Sequence, residues 1–345
     1  MRRTNSSLVS LSLLAIFFLT LQFINLTLIS PVLAAHGKRK MSPAAQKFFD
    51  QGRAQFAGKK YQDAVTSFSK ACQLANRNNS CQFYLGTAAL YTGNQKLFID
   101  AMTRIVVMNG LKHSVVTKRA LVNILKYSSI HPYSALNSQG LLCRWDIQKH
   151  PVIYVYISRG LALPKQYQGK SMNISDIKYF QSLFKSGRFA STLVKERTFG
   201  GGHYSNAMSG LRSWDWAVRE GLFKYAFTND PNKADIVVLW TPKFTAGGDM
   251  KGLTSYFATS RGGSGKVIMQ LYTGQYRNIV GGDLPRAHAT HEFGHAFGLG
   301  SHSPNGDDIM SAKMYQINGS KVPGISNNDK ATLRALYSLQ PDMAW

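Results

Sequence analysis

From residue 8 to residue 29 the chain runs LVSLSLLAIFFLTLQFINLTLI, apolar and uncharged, between a basic MRRTNSS and the small-residue PVLAAHGKRK. A basic start, an apolar run and a small-residue end are the build of a secretory signal. Val32-Leu33-Ala34 and Leu33-Ala34-Ala35 both offer a cleavage site. The run is also long enough to span a bilayer uncleaved, so residues 1–35 read as a signal peptide or an N-terminal anchor. Either form places residues 36–345 outside the cytoplasm, as a secreted, periplasmic or membrane-anchored protein. Residues 43–108 then read as helices. SSIHPYSALNSQGLL shifts to Ser, Pro, Asn and Gly, so the helical domain is expected over 43–130 and a linker over 131–150. PVIYVYIS at 151–158 is alternating and β-branched, the pattern of a half-buried strand. SNAMSGLRSWDWAVREGLF at 205–223 spaces Ala207, Leu211, Trp214, Ala217 and Val218 as one helical face. ADIVVLW at 234–240 and GKVIMQLYT at 265–273 add two strands, and residues 285–299 read as a helix with Gly298 near its end. SNNDKATLRALYSL opens on capping residues and continues as a helix. This alternation predicts a second domain over 151–345, α/β or α+β, of about 200 residues.

Within the helical region residue choice repeats. FFDQGRAQFAGKKYQDAVTSFSKA sets Gly52, Ala54, Tyr61, Ala64, Phe68 and Ala71 at the small and aromatic offsets of closely packed helix pairs, and Gly86 and Ala88 follow Gly52 and Ala54 by 34 residues. The region resembles a tetratricopeptide repeat, although Phe98 stands where an alanine is expected. The resemblance implies a concave surface suited to a protein partner.

The chain has 345 residues, 44% of them apolar, which is enough for a core in each of two domains. Its formal charge is +24 and unevenly placed: residues 36–140 carry 15 Lys and Arg against Asp50, Asp63 and Asp100 alone. A field of that sign favours an anionic envelope or polysaccharide surface, but it specifies no nucleic acid. Three cysteines cannot all pair with one another, and Cys72 with Cys81 is the expected bridge, the two flanking the turn between adjacent helices.

His291-Glu292-Phe293-Gly294-His295 lies on the helix predicted over 285–299. Residues four apart on a helix share a face, so both imidazoles reach one ion, and Glu292 stands beside them to take a proton from water. A catalytic zinc needs a third protein ligand and an open position. No glutamate follows Glu292, and the spacing H-E-x-x-H-x-x-G-x-x-H places Ser301 where a histidine would stand. His302 is one step later, and Gly298 and Gly300 give the chain freedom to bring it back. Asp307 and Asp308 are the competing ligands. His288, one turn before His291, reads as a neighbour of the site or a surface residue and not a ligand, and His203, after three glycines, as a solvated loop residue. Neither has companions for an accessory metal, and a further structural calcium or zinc ion has no cluster to support it.

HEFGHAFGLGSHS followed by DDIM resembles the metzincin clan of zinc endopeptidases, and the form H-E-x-G-H-x-x-G-L-x-x-H-S is similar to bacterial matrixin-like members. The resemblance covers about 150 to 340. It implies a metzincin-like α/β (α+β) peptidase domain, one catalytic zinc on His291, His295 and His302, Glu292 as general base, and Met310 as the methionine of the turn beneath the metal. It also implies an edge strand for an extended peptide, expected around GKVIMQLYT. Ser311 departs from the clan's common tyrosine, and Cys143 lacks the flanking pattern of an inhibitory cysteine and reads as a buried thiol. The expected function is an exported zinc endopeptidase acting on protein or peptide. The alternative is a repeat-type adaptor with a structural, non-catalytic zinc domain, which would have no need of Glu292.

Overall fold

The computed structural model describes residues 41–109, 115–245, 251–257, 265–274, 283–312 and 322–344. The segment expected to be a signal or anchor lies outside them. Among the described residues no helix is long and apolar enough to cross a membrane. They divide into two compact units, 41–105 with 115–122, and 106–109 with 123–344.

The first unit is helical: α1 (Pro43–Ala57), α2 (Tyr61–Leu74), α3 (Asn79–Tyr91), and most of α4 (Gln95–Asn109) and α5 (Val115–Leu125). Ser42 caps α1 by accepting the Ala45 N–H, with Pro43 in the first turn. The repeating glycines stand at close approaches. A side chain on Gly52 would run into the ring of Phe68, and one on Gly86 would meet Met102 and Ala101. Phe68 is fully buried and packs with Phe49 and Tyr84 at ring separations of 5.6 and 5.5 Å. Burying such a ring contributes about 2–3 kcal/mol. Cys72 on α2 and Cys81 on α3 are free, buried thiols with sulfurs 2.6 Å apart.

The second unit is built on a five-stranded sheet of β2 (Ile153–Ile157), β5 (Tyr225–Phe227), β6 (Ile236–Thr241), β7 (Gly252–Phe257) and β8 (Lys266–Tyr272), in the order β5-β2-β6-β8-β7, while β3 (Leu161–Ala162) and β4 (Val194–Lys195) form a separate pair. β5, β2, β6 and β8 run parallel, and β7 is antiparallel to β8 with Thr254 opposite Met269. β6 is buried at every position because layers cover both faces. One face carries Leu163, Phe180, Phe189, Val237, Leu239, Phe257 and Ile268, with Phe180 on α6 (Ile174–Lys185) and Phe189 on α7 (Phe189–Thr192). α8 (Gly201–Arg212) and α10 (Leu284–Ala296) pack together so closely that a side chain on Gly210 would meet Ala289 and the Thr290 backbone. The helix expected over 205–223 is broken, α8 being followed by α9 (Asp215–Arg219). Trp214 at the break is fully buried and donates its indole N–H to the Thr290 carbonyl at 2.9 Å.

Two further expectations change. GKVIMQLYT is an inner strand, paired on both sides with β6 and β7, and its central residues are all buried. The edge beside it is β7, the GLTSYF stretch, whose pattern does not mark a strand. Residues 131–150, linker-like in composition, pack within the second unit. Tyr133, Leu142 and Trp145 are fully buried, Tyr133 donates to Asp329 at 2.7 Å, and β1 (Cys143–Arg144) pairs with β9 (Met343–Ala344). Three large apolar side chains outweigh the polar residues around them. Asp329 lies in α11 (Asn327–Ser338), whose start Ser326 and Asp329 close as a reciprocal capping box.

Candidate metal centre

α10 carries His291, Glu292 and His295 on its buried side and ends just after them. Gly298 has φ of 108°, the Gly298 N–H bonds to the His295 carbonyl at 2.8 Å and the Leu299 N–H to the Gly294 carbonyl at 3.0 Å, a Schellman termination. The turn brings His302 back over the helix. Ring centroids of the three histidines are separated by 4.8 Å (291 to 295), 5.2 Å (291 to 302) and 4.9 Å (295 to 302). Each offers a ligand atom within 4.8 Å of the others.

The outward nitrogens are spoken for. His291 Nδ1 donates to the Ile309 carbonyl at 2.7 Å and His295 Nδ1 to the Leu299 carbonyl at 2.5 Å. These bonds fix the tautomer and leave both Nε2 lone pairs for an ion. His295 Nε2 and His302 Nε2 lie 3.3 Å apart. Burial, then the neighbouring His302, lowers His291 to about 3, and burial first of all holds His295 well below and His302 below the ordinary imidazole value. Neutral imidazole is the form that ligates. Three neutral nitrogens converging with one side open fit a zinc ion of the catalytic kind.

Glu292 is 3% exposed and accepts a hydrogen bond from Thr254 at 2.6 Å. Burial pushes it up to about 7, opposed by the Thr254 hydroxyl, so the carboxyl is poised between its two forms near neutral pH. Met310 is fully buried and its sulfur presses on Gly294, where any side chain would collide with it.

Neither competing aspartate joins the cluster. Asp308 is 1% exposed and accepts from Ser303 Oγ at 2.5 Å, Asn305 Nδ2 at 3.3 Å and Asn328 Nδ2 at 3.0 Å, while Asp307 is exposed. Ser303 N also donates to the Met310 carbonyl at 2.8 Å, so Asp308 braces the turn that carries His302. Ser301 turns the other way and donates to the Leu136 carbonyl at 2.6 Å. His288 is buried and outside the cluster, as is Cys143, whose sulfur accepts from Asn137 at 3.4 Å. His203 is not a loop residue: it sits in the first turn of α8, where its Nδ1 accepts the Gly200 N–H at 2.9 Å.

Residue pattern alone did not reveal the contribution of β7. Gly252 leaves room for Glu292, Thr254 bonds to it, and Tyr256 donates to the His295 carbonyl at 2.8 Å. A glycine, a hydroxyl and a phenol at alternate positions were the available signal.

A family model described as Matrixin matches residues 273–338, which contain all three histidines, Glu292 and Met310. No curated protein matches the chain. The match and the three-histidine cluster fit a metzincin-type zinc peptidase.

Proposed function

We propose that this chain is an exported zinc-dependent endopeptidase, with one catalytic zinc held by His291, His295 and His302 and with Glu292 as general base. The observation that carries the reading is the buried carboxylate of Glu292 on the same helix that presents two of three converging imidazoles, since a purely structural zinc site needs no base. Zinc bound there supplies Lewis acidity, which polarises a scissile carbonyl and makes water acidic enough to attack at neutral pH. Glu292 accepts the proton of the attacking water and passes it to the leaving amine. Its neighbours exclude solvent and hold the imidazole tautomers through the Ile309 and Leu299 carbonyls. Met310 forms the packed floor beneath the ligands. β7, at the edge of the sheet, offers main-chain groups along which an extended peptide aligns.

Export rests on the uncharged run at 8–29 with its basic start and small-residue end, and the N-terminal helices are assigned to a tetratricopeptide-like region that docks a protein partner on the strength of Gly52 and Gly86 at helix contacts. The basic surface suits an anionic envelope or polysaccharide. The test is casein cleavage by purified protein with and without a chelator, beside metal analysis. One zinc per chain with chelator-sensitive cleavage supports the reading. One zinc with no cleavage of casein or of a diverse peptide library overturns it in favour of an adaptor.

A further inference from the structure

We propose that Thr254 is a positioning residue for the general base: its hydroxyl holds one oxygen of Glu292 and aims the other at the attacking water. The assignment rests on the peptidase reading above. Side chains at alternate positions of a strand share a face, and on β7 that face carries Gly252, Thr254 and Tyr256 against α10. Thr254 Oγ1 stands 2.6 Å from Glu292 Oε2 and 3.2 Å from the Glu292 carbonyl. Its single proton goes to the nearer, charged acceptor, where the bond is stronger.

Three features make this an aiming device and not only a packing contact. A glutamate's terminal torsion is broad and roughly two-fold, so burial alone does not fix which way the carboxylate plane faces. A β-branched side chain is stiff at its first torsion, so the backbone of β7 sets the direction of the hydroxyl. That backbone is itself fixed by antiparallel pairing along the whole of buried β8, with Thr254 opposite Met269. Gly252 completes the cradle, because a side chain there would occupy the space of Glu292 Cγ and Oε1. A valine would satisfy strand propensity and packing at 254 equally well. Only the bond to Glu292 calls for a hydroxyl.

The experiment measures kcat, KM and zinc content for the full-length wild type, Thr254→Val and Thr254→Ser on one fluorogenic peptide cut by the wild type. Thr254→Val is expected to keep its zinc and its KM while kcat falls about tenfold to a hundredfold, as for a misaimed catalytic group. Thr254→Ser, which restores the hydroxyl on a less restricted side chain, is expected to recover kcat to within about threefold. Thr254→Ala carries the same test if valine at 254 fails to hold zinc. Wild-type kcat in the valine or alanine variant, or no recovery with serine, overturns the assignment while the peptidase reading stands. A wild type that binds zinc and cuts nothing overturns both.

Discussion

His302 and Asp308 stand on one turn of chain, the first facing the two helical histidines and the second turned into the protein, and replacing each in turn separates a ligand from a brace. In Asp308→Asn one carboxylate oxygen becomes an NH2 group. The Ser303 hydroxyl can reverse and accept from it, but the Asn328 amide, which donates to both Asp308 oxygens at 3.0 and 3.2 Å, cannot. One bond to a buried charge is lost, worth about 1.5–3 kcal/mol, and the relief of not burying a charge offsets part of it. The expected net cost is about 2 kcal/mol, which in a unit of this size lowers the melting temperature by about 4–8 °C. Zinc should stay stoichiometric, because the imidazole set is intact. His302→Ala should do the reverse, with little change in the melting point of the metal-free protein and loss of zinc on dialysis. Metal analysis after dialysis, beside thermal unfolding of the chelated proteins, reads both. Full zinc in His302→Ala together with its loss in Asp308→Asn would refute the assignment of the third ligand.

Gly252→Ala places a methyl group in the space of the Glu292 carboxylate, so turnover should fall by about a hundredfold or more with zinc retained; wild-type turnover would show that Glu292 does not work from the position seen here. Gly294→Ala drives a methyl group into Met310 and Trp214 between the two helical ligands and should destabilise the protein by about 1–3 kcal/mol, read by denaturant unfolding; an unchanged midpoint would mean that the floor is loosely packed. Protein recovered from an oxidising compartment should carry a Cys72–Cys81 bond and a free Cys143, as mass spectrometry of the unreduced digest would reveal; a bridge containing Cys143 contradicts this.

What could be read from the chain followed from local periodicity. His291 and His295 four apart, the long helices and the apolar runs of β2, β6 and β8 each leave a pattern within a few residues, and the helix end at Gly298 is marked by the one residue that tolerates its φ of 108°. What escaped was set by distant partners. Tyr133 reaches Asp329 and the His131 N–H reaches Asn328 across nearly the whole second unit, so nothing near SSIHPYSALNSQGLL announces that it is packed. β7 opens on a glycine and is only partly buried along its middle, which hides a strand even though it lies against the base. The inner place of β8 comes from its pairing with β6 and β7, and a local apolar run does not distinguish an inner strand from an edge. The competition between His302 and Asp308 was open in the sequence because both residue types bind zinc; the bonds from Ser303 and Asn328 distinguish them.

The most direct measurement of the central claim is zinc content and peptide cleavage of Glu292→Gln beside the wild type. The amide keeps the shape of the side chain and leaves the three imidazoles untouched, but it cannot accept the proton of the attacking water. The account predicts one zinc per chain in both proteins, chelator-sensitive cleavage by the wild type and none by the variant. Cleavage by Glu292→Gln at a rate comparable with the wild type would contradict it, because the proton would then be taken by some other group.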